Sequence, residues 1–272
     1  MSGEFVESDG ARLYFEVDGS GPALVLVHAG VANLRMWDPH VPVWSGDHTV
    51  VRFDTRGFGR TESEHVEFSN RADLIAVMDH VGVERACLVG VSRGGQIVLD
   101  TTLEHPQRVA GLVVAAGGVG GFTPATNVGT PEMWVEAEKH WEAHDWEWLA
   151  DFETRYWVDG PGQPEGRVEA AIRSLVHGWI LDNYRAENEE GIPQPLDPPA
   201  VGRLAEVACP TQVTIGSLDD PGTNEACRLL AGSVAGGRLE VFDSAAHMLT
   251  LEQPDRFTRR VAEFVAGLPG GG

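Results

Sequence analysis

The chain has 272 residues, of which 42% are apolar, and this suits one large α/β domain or a core domain that carries an insertion. Its formal net charge of −21 argues against nucleic acid and anionic membrane surfaces as partners, because both attract clustered Lys and Arg. No apolar stretch approaches the ~20 residues of a membrane span, and the N-terminus lacks the basic start and apolar run of a signal peptide. We therefore expect a cytoplasmic protein.

Three cysteines are scattered along the chain, at Cys87, Cys209 and Cys227. An odd and scattered set is not typical of a disulfide framework, and no Cys/His spacing indicates a zinc site. The sequence therefore predicts neither a disulfide nor a bound metal.

The predicted elements begin with strands and then alternate between strands and helices. Two alternating apolar segments, residues 5–7 and 13–17, indicate antiparallel strands. Continuous apolar runs that suit strands buried on both faces follow at residues 23–28, 49–53, 86–91 and 109–116. Helices are predicted between these runs at residues 36–44, 72–81 and 95–105.

Strand signals vanish between about residues 121 and 199, where Trp, Glu and helix-forming residues dominate. The alternation then resumes, with strands predicted at 211–215 and 239–242 and helices at 224–230 and 254–266. We predict an α/β fold with a mostly parallel, twisted sheet of about eight strands, helices on both faces and a helical cap inserted after the sixth strand. The predicted division is a core of residues 1–120 and 201–272 with a cap of residues 121–200.

The segment Gly90-Val-Ser-Arg-Gly-Gly95 lies between a predicted strand and a predicted helix. Gly-x-Ser-x-Gly in that context is typical of a nucleophile elbow, a strained turn that exposes its serine at the C-terminal edge of a sheet. Side chains at the flanking glycines would collide with the strand and the helix beside the turn. The pattern predicts Ser92 as a nucleophile.

A serine nucleophile needs a base, and the base needs a third group that orients it. Asp219 lies on the loop that leaves the predicted strand 211–215, and His247 lies on the loop after strand 239–242. Elbow-type hydrolases place these residues in the chain order serine, acid, histidine. We therefore predict a catalytic triad of Ser92, Asp219 and His247.

Other titratable residues near these loops are predicted to have structural roles. Asp220 precedes Pro221 at the start of a predicted helix, which is the arrangement of an N-cap followed by the first helical residue. Asp243 is expected to be solvated, and Glu252 to anchor the helix that follows it. His28 is expected to brace the turn after the third strand.

The oxyanion of an acyl-transfer intermediate needs two preorganised backbone N–H donors. One is predicted to be the N–H of Arg93, directly after the nucleophile. The other is expected from the loop of residues 28–31, with Gly30 as first choice and Val31 as second. The side chain of Arg93 either pairs with a nearby carboxylate, which we favour, or touches an anionic substrate.

Three tryptophans in the predicted cap, Trp134, Trp141 and Trp148, recur every seven residues and so mark roughly one helical face. The simpler interpretation is that they pack a lid onto the core. A subset lining an apolar substrate cavity is the alternative, because such sites commonly form between two domains.

With the elbow, the acid and the histidine in this order, the chain resembles α/β-hydrolase fold enzymes over essentially its whole length. Within that superfamily it is most similar to 3-oxoadipate enol-lactonases and related carboxylic-ester hydrolases, in segments 34–39, 52–59, 245–247 and 252–257. The resemblance implies a cofactor-free serine hydrolase that cleaves a small carboxylic ester or lactone through an acyl-enzyme. Arg93 stands where enol-lactonases usually carry Met, so the resemblance leaves the particular lactone open.

Two other enzyme activities use the same triad: hydrolysis of carbon–carbon bonds in ring-cleavage products, and cofactor-free perhydrolysis. The carbon–carbon hydrolases usually carry Asn before the serine and a Gly-rich oxyanion loop, and Val91 and Ala29 depart from that pattern. Haloalkane dehalogenases and most epoxide hydrolases of this fold have Asp at the position of Ser92. A non-catalytic ligand receptor of the same fold is the alternative from another class.

Overall fold

The computed structural model describes residues 3–126, 131–186 and 190–269. Its main sheet has nine strands, eight longer ones and the two-residue strand Glu62–Ser63. The longer strands are β1 (Glu4–Ser8), β2 (Ala11–Asp18), β3 (Ala23–Val27), β4 (Thr49–Phe53), β5 (Ala86–Val91), β6 (Val109–Ala115), β7 (Thr211–Gly216) and β8 (Arg238–Phe242).

The order of the longer strands across the sheet is β1-β2-β4-β3-β5-β6-β7-β8. Strand β2 is antiparallel to β1 and β4, and the other neighbouring pairs of longer strands are parallel. The predicted mostly parallel sheet of about eight strands is confirmed. Its parallel strands place the ends of β5, β7 and β8, and therefore the loops that follow them, at one edge.

Nine α-helices occur in the described ranges. They are α1 (Val41–Trp44), α2 (Asn70–His80), α3 (Arg93–Glu104), α4 (Pro131–Glu142), α5 (Trp146–Glu153), α6 (Ala170–Arg185), α7 (Pro221–Ser233), α8 (Leu249–Glu252) and α9 (Pro254–Ala266). The predicted continuous helix over residues 36–44 is wrong, because a 3-10 helix, Leu34–Trp37, is separated from α1 by a turn. Pro39 and Pro42 lack the N–H groups that a continuous helical ladder would need.

Both faces of the sheet are covered by apolar side chains. In β3, Val25 and Val27 belong to one buried cluster, and Leu24 and Leu26 belong to another. Successive side chains of a strand point to opposite faces, so the two clusters lie on opposite sides of the sheet. This double burial accounts for the continuous apolar runs in the sequence. No helix in the described part of the chain is long and apolar enough to cross a bilayer.

The insertion between β6 and β7 is helical, as predicted, and contains α4, α5, α6 and a π-helix, Thr154–Asp159. The expectation that it has no strand is wrong at one point, since Ile192–Pro193 pairs with Glu67–Phe68. This pairing uses the N–H groups of Ile192 and Gln194, which donate to carbonyls 2.8 and 2.7 Å away. A two-residue strand held by its backbone leaves no apolar pattern in the sequence. The division into core and cap stays a prediction.

The three regularly spaced tryptophans do not share one helical face. Trp134 and Trp141 lie in α4, whereas Trp148 lies in α5, after a break at His144, which adopts φ +56°. A seven-residue spacing marks a common face only within one continuous helix. The prediction is therefore wrong for Trp148.

Candidate active site

The turn between β5 and α3 has the geometry of a nucleophile elbow. Ser92 adopts φ +54° and ψ −118°, a left-handed conformation that is costly for a residue with a side chain. A Cβ at Gly94 would lie 2.2 Å from the carbonyl oxygen of Val27, and one at Gly90 would lie 2.2 Å from that of Gly94. The Ser92 N–H donates to Ala115 O at 2.9 Å, which ties the turn to β6. The surrounding backbone thus holds Ser92 in its strained conformation.

The predicted acid and base meet at the same edge of the sheet. Asp219 follows β7 and His247 follows β8, and both side chains are buried. His247 Nδ1 lies 2.9 Å from Asp219 Oδ1 and 3.0 Å from Oδ2. A carboxylate only accepts hydrogen bonds, so Nδ1 carries the proton and donates it. The other ring nitrogen, Nε2, is left to accept a proton.

The structure therefore joins Asp219 to His247 and places Ser92 at the same edge of the sheet. Within the described residues, the Ser92 hydroxyl makes no hydrogen bond to His247. Such contacts are often long in ligand-free enzymes and tighten when substrate binds. Asp219 Oδ1 also accepts the N–H of Asp220 at 2.7 Å, which fixes the carboxylate.

The two predicted oxyanion donors lie beside each other. The N–H of Arg93 is at the start of α3, where helix N–H groups lack intrahelical partners and the helix dipole favours negative charge. A Cβ at Gly30 would lie 3.8 Å from the Cβ of Arg93. The N–H of Ala32 closes a turn onto Ala29 O at 3.1 Å, and the N–H groups of Gly30 and Val31 donate to no backbone oxygen in the part of the chain that the structure describes.

His28 braces this loop. Its Nδ1 lies 2.8 Å from Ala29 O, and its Nε2 lies 3.1 Å from the N–H of Thr55. The ring must therefore be neutral, with the proton on Nδ1 donated to Ala29 and Nε2 accepting from Thr55. Burial lowers the pKa of His28 from 6.5 to about 3, which agrees with a neutral ring. The contacts agree with the predicted bracing role.

The guanidinium of Arg93 is held by three partners. It donates to Thr55 Oγ1 at 2.6 Å, forms an ion pair with Glu190 and lies 4.9 Å from the centre of the Phe58 ring. The structure thus shows the pairing with a carboxylate that the sequence favoured. Glu190 comes from the insertion, so this ion pair links the insertion to the nucleophile helix.

The neighbouring acids have structural partners. Asp220 caps α7 by accepting the N–H of Thr223 at 2.9 Å, as predicted. Asp243 is exposed, also as predicted. The prediction that Glu252 anchors the following helix is wrong, because its Oε1 accepts the N–H of Ala246, in the loop before His247, at 2.7 Å. Glu252 therefore anchors the loop that carries His247.

Two residues of the insertion that sequence reasoning missed lie at this site. The ring of Trp157 is centred 4.5 Å from that of His247. Arg167 donates to Glu252 Oε2 at 2.7 Å. Trp157 lies outside the seven-residue series, and Trp134 and Trp141 of that series are 40% and 53% exposed. No pattern in the sequence distinguishes Trp157 from the other aromatic residues of the insertion.

Across residues 3–126, 131–186 and 190–269, no cluster of three His, Cys, Asp or Glu side chains is arranged to hold a metal ion. The groups that can carry out chemistry at the site are the side chains of Ser92, His247 and Asp219. The N–H groups of Arg93 and of the loop that contains Gly30 are the candidate oxyanion donors.

The chain is similar in sequence to known hydrolases. A family model described as the alpha/beta hydrolase family matches residues 24–260. The chain is 30% identical to the 2-hydroxy-6-oxononadienedioate/2-hydroxy-6-oxononatrienedioate hydrolase of Klebsiella pneumoniae, over 95% of this chain and 88% of that protein. It is 24% identical to 3-oxoadipate enol-lactonase 1 of Acinetobacter baylyi, over 95% of both chains.

Among solved structures, the enol-lactonase from Burkholderia xenovorans superposes with a TM-score of 0.78 at 24% identity, covering 96% of this chain and 99% of that one. This similarity confirms the fold, and the named relatives are hydrolases. The chain therefore belongs to the alpha/beta hydrolase family.

Proposed function

We propose that this enzyme is a cofactor-free serine hydrolase that cleaves a small carboxylic ester or lactone through an acyl-enzyme. The observation that carries the proposal is the buried hydrogen bond between His247 and Asp219, at the edge where the elbow presents Ser92. The similarity to 3-oxoadipate enol-lactonase supports a carboxylic ester or lactone as the substrate class.

In the first step, Ser92 Oγ attacks the carbonyl carbon of the substrate while His247 Nε2 takes the hydroxyl proton. Asp219 keeps the imidazole in the tautomer with the proton on Nδ1 and stabilises the imidazolium that forms. The N–H groups of Arg93 and Gly30 donate to the oxyanion, and Val31 is the second candidate for the latter. Each such donor contributes roughly 3–4 kcal/mol to the stability of the transition state.

The tetrahedral intermediate collapses when its carbon–oxygen bond to the leaving group breaks and His247 returns the proton to that oxygen. A water molecule then attacks the acyl-enzyme, again with His247 as base, and Ser92 is released with the carboxylic acid. An ester gives two products, whereas a lactone gives one because its leaving group is tethered. We infer that residues 121–200 form a cap that bounds the substrate site, which the contact of Trp157 with His247 supports.

Carbon–carbon bond hydrolysis is the second candidate function, and the 30% identity to the Klebsiella hydrolase favours it. Val91 and Ala29 depart from the usual pattern of those enzymes, which is why we place it second. Perhydrolysis on the same triad and ligand reception without turnover remain as lesser alternatives. We further propose a cytoplasmic location and a small-molecule ligand, since a net charge of −21 disfavours nucleic acid.

The test is a panel of esters, lactones and ring-cleavage dienoates, varied in acyl length and charge and supplied in large excess over the enzyme. We expect many turnovers per chain with at least one ester or lactone. Turnover of dienoates alone would assign the second function. Binding without turnover of any compound would contradict the enzymatic proposal.

A further inference from the structure

The segment Thr154–Gly160 of the insertion meets the acid and histidine loops from one side. Residues Thr154–Asp159 form a π-helix, and Gly160 follows at φ +98°. Wider turns of this kind are rare and often lie at functional sites. Here the π-helix directly continues α5. Three residues of the segment, Tyr156, Trp157 and Gly160, contact the acid loop or the histidine loop.

Two consecutive side chains of the π-helix reach one loop each. Tyr156 donates its hydroxyl to Asp220 Oδ2 at 2.7 Å, directly beside Asp219. Trp157 packs against His247 with its ring plane tilted by 43° and the ring centres 4.5 Å apart. The segment therefore contacts the acid loop and the base itself through neighbouring residues.

Gly160 lies between the same two loops. A Cβ at this position would lie 2.7 Å from Leu218 O and 3.1 Å from the Cβ of Ala246. Leu218 and Ala246 directly precede the acid and the histidine in the chain. Only a glycine permits this approach at a left-handed φ, so the end of the segment is fitted between the loops.

Arg167 connects the end of the π-helix to the histidine loop, and its side chain is only 15% exposed. Its guanidinium makes four hydrogen bonds, two to the π-helix and two to the region around His247. The acceptors are Asp159 O at 2.6 Å and Val158 O at 2.9 Å on the π-helix, and Ser244 O and Glu252 Oε2, both at 2.7 Å, on the other side. Since Glu252 also accepts the N–H of Ala246, the chain of contacts runs from Trp157 back to His247.

We propose that the segment Thr154–Gly160 positions the His247 imidazole. Trp157 contacts the imidazole ring, and Arg167 and Glu252 together hold the segment against the histidine loop. The inference rests on the proposed function, because it assumes that His247 is the base. The hydrogen bond to Asp219 fixes one nitrogen of the ring but leaves the ring free to tilt about that bond. Trp157 restricts this tilt, and a misplacement of about 1 Å in a reacting group costs roughly 10²-fold in rate.

The experiment compares two variants with two matched controls on the best ester or lactone of the panel. Trp157→Leu removes the ring beside His247, and Arg167→Lys keeps the charge beside Glu252 but cannot span both segments. We expect kcat to fall by about 10- to 100-fold in both variants, with KM changed much less, because His247 acts in the chemical step. Trp157→Phe, which keeps an aromatic ring at the contact, should recover most of the lost kcat.

The controls make the same changes away from the site. Trp148 stacks on His140 with ring centres 3.9 Å apart, so Trp148→Leu removes a Trp–His contact elsewhere in the insertion. Arg71 pairs with Glu104 and donates to Gln194 O of the insertion, so Arg71→Lys changes an arginine that, like Arg167, joins a carboxylate to a backbone carbonyl. Both controls should keep kcat within about twofold, since they leave the transition-state contacts in place.

A second readout follows the histidine directly. The proton on His247 Nδ1, which is donated to Asp219, should give a low-field proton NMR signal in the wild type and in both controls. In Trp157→Leu and Arg167→Lys it should broaden or move. Folded variants that keep wild-type kcat and an unchanged signal, or controls that lose as much kcat as the variants, would overturn the positioning role. Turnover that survives in Ser92→Ala would instead contradict the proposed function itself.

Discussion

The elbow and the insertion build the site in different ways. At the elbow the backbone itself fixes the nucleophile, and glycines are required because carbonyl oxygens lie 2.2 Å from where side chains would begin. The insertion also has one close backbone approach, at Gly160, but it reaches the site mainly through the long side chains of Trp157, Arg167 and Glu190, which bridge to the core. A backbone constraint leaves a short motif in the sequence, whereas bridging side chains leave none.

The largest expected effect tests the chemistry of the elbow. Ser92→Ala should reduce turnover by on the order of 10⁶-fold, as expected when the nucleophile of a well-tuned triad is removed. The fold should survive, because alanine is smaller than serine and removes only a hydroxyl without a partner in the described residues. Turnover with the best substrate and a thermal unfolding curve check both statements. Substantial residual turnover would show that the elbow does not supply the nucleophile.

The next effect separates two adjacent acids. Asp219→Asn should reduce turnover by roughly 10⁴-fold, because the amide stabilises the wrong tautomer of His247. Asp220→Asn should be mild, since Asn caps a helix about as well as Asp: its oxygen can still accept from Thr223, and its NH2 group can donate to the Tyr156 hydroxyl. Kinetics of both variants on one ester decide between them. The reverse ranking would contradict the assignment of Asp219 as the acid.

A pair of glycine substitutions sharpens the contrast in backbone constraint. Gly94→Ala should lower the free energy of unfolding by at least about 3 kcal/mol, since its Cβ would overlap the carbonyl oxygen of Val27. Gly178→Ala in α6 should raise it by up to about 1 kcal/mol, because nothing lies within 4 Å of the added Cβ and alanine favours helix. Urea unfolding of the two variants measures this. Equal effects would show that the elbow is not sterically constrained.

The two regions should also differ in how their stability depends on pH. Burial lowers the pKa of His28 in the core to about 3, so its neutral form stabilises the fold above pH 6.5 and this contribution is lost as the pH falls towards 3. Burial raises the pKa of Glu153 in the insertion to about 7, so its contribution is present below pH 4.5 and is lost as the pH rises through 7. For each of these residues, the free energy of unfolding changes by at most about 1.4 kcal/mol per pH unit.

Single variants isolate these contributions. His28→Gln should flatten the decline of unfolding free energy between about pH 6 and pH 4, and Glu153→Gln should flatten the decline between about pH 5 and pH 7. Urea unfolding of both variants and of the wild type at a series of pH values measures these changes. An unchanged acidic slope in His28→Gln would refute the neutral, buried state of this histidine.

Much of the fold follows from the sequence because most strands of the sheet carry one of two simple patterns, alternation or a continuous apolar run. The runs at β3, β5 and β6 are apolar without alternation, and burial on both faces explains them. The continuous helix predicted over residues 36–44 failed because two prolines interrupt the ladder, a local effect that the apolar pattern does not record.

The residues of the site likewise divide into those that the sequence predicts and those that it does not. The positions of Ser92, Asp219 and His247 could be predicted because loops after parallel strands gather at one edge. The roles of Trp157 and Glu252 could not, because each depends on which distant loop its side chain meets after folding. Trp148 was misplaced because the chain breaks at His144, which adopts φ +56°, and a new helix begins after the N-cap Asp145; the seven-residue spacing does not record this break.

The central claim is that Ser92 forms a covalent acyl intermediate, and labelling with a serine-directed phosphonate tests it most directly. The phosphonate mimics the tetrahedral intermediate and stays attached to the attacking oxygen. Intact-mass spectrometry should find one adduct per chain, peptide mapping should locate it on Ser92, and Ser92→Ala should remain unlabelled. An adduct on another residue, or ester turnover by a chain that is never labelled, would contradict the account.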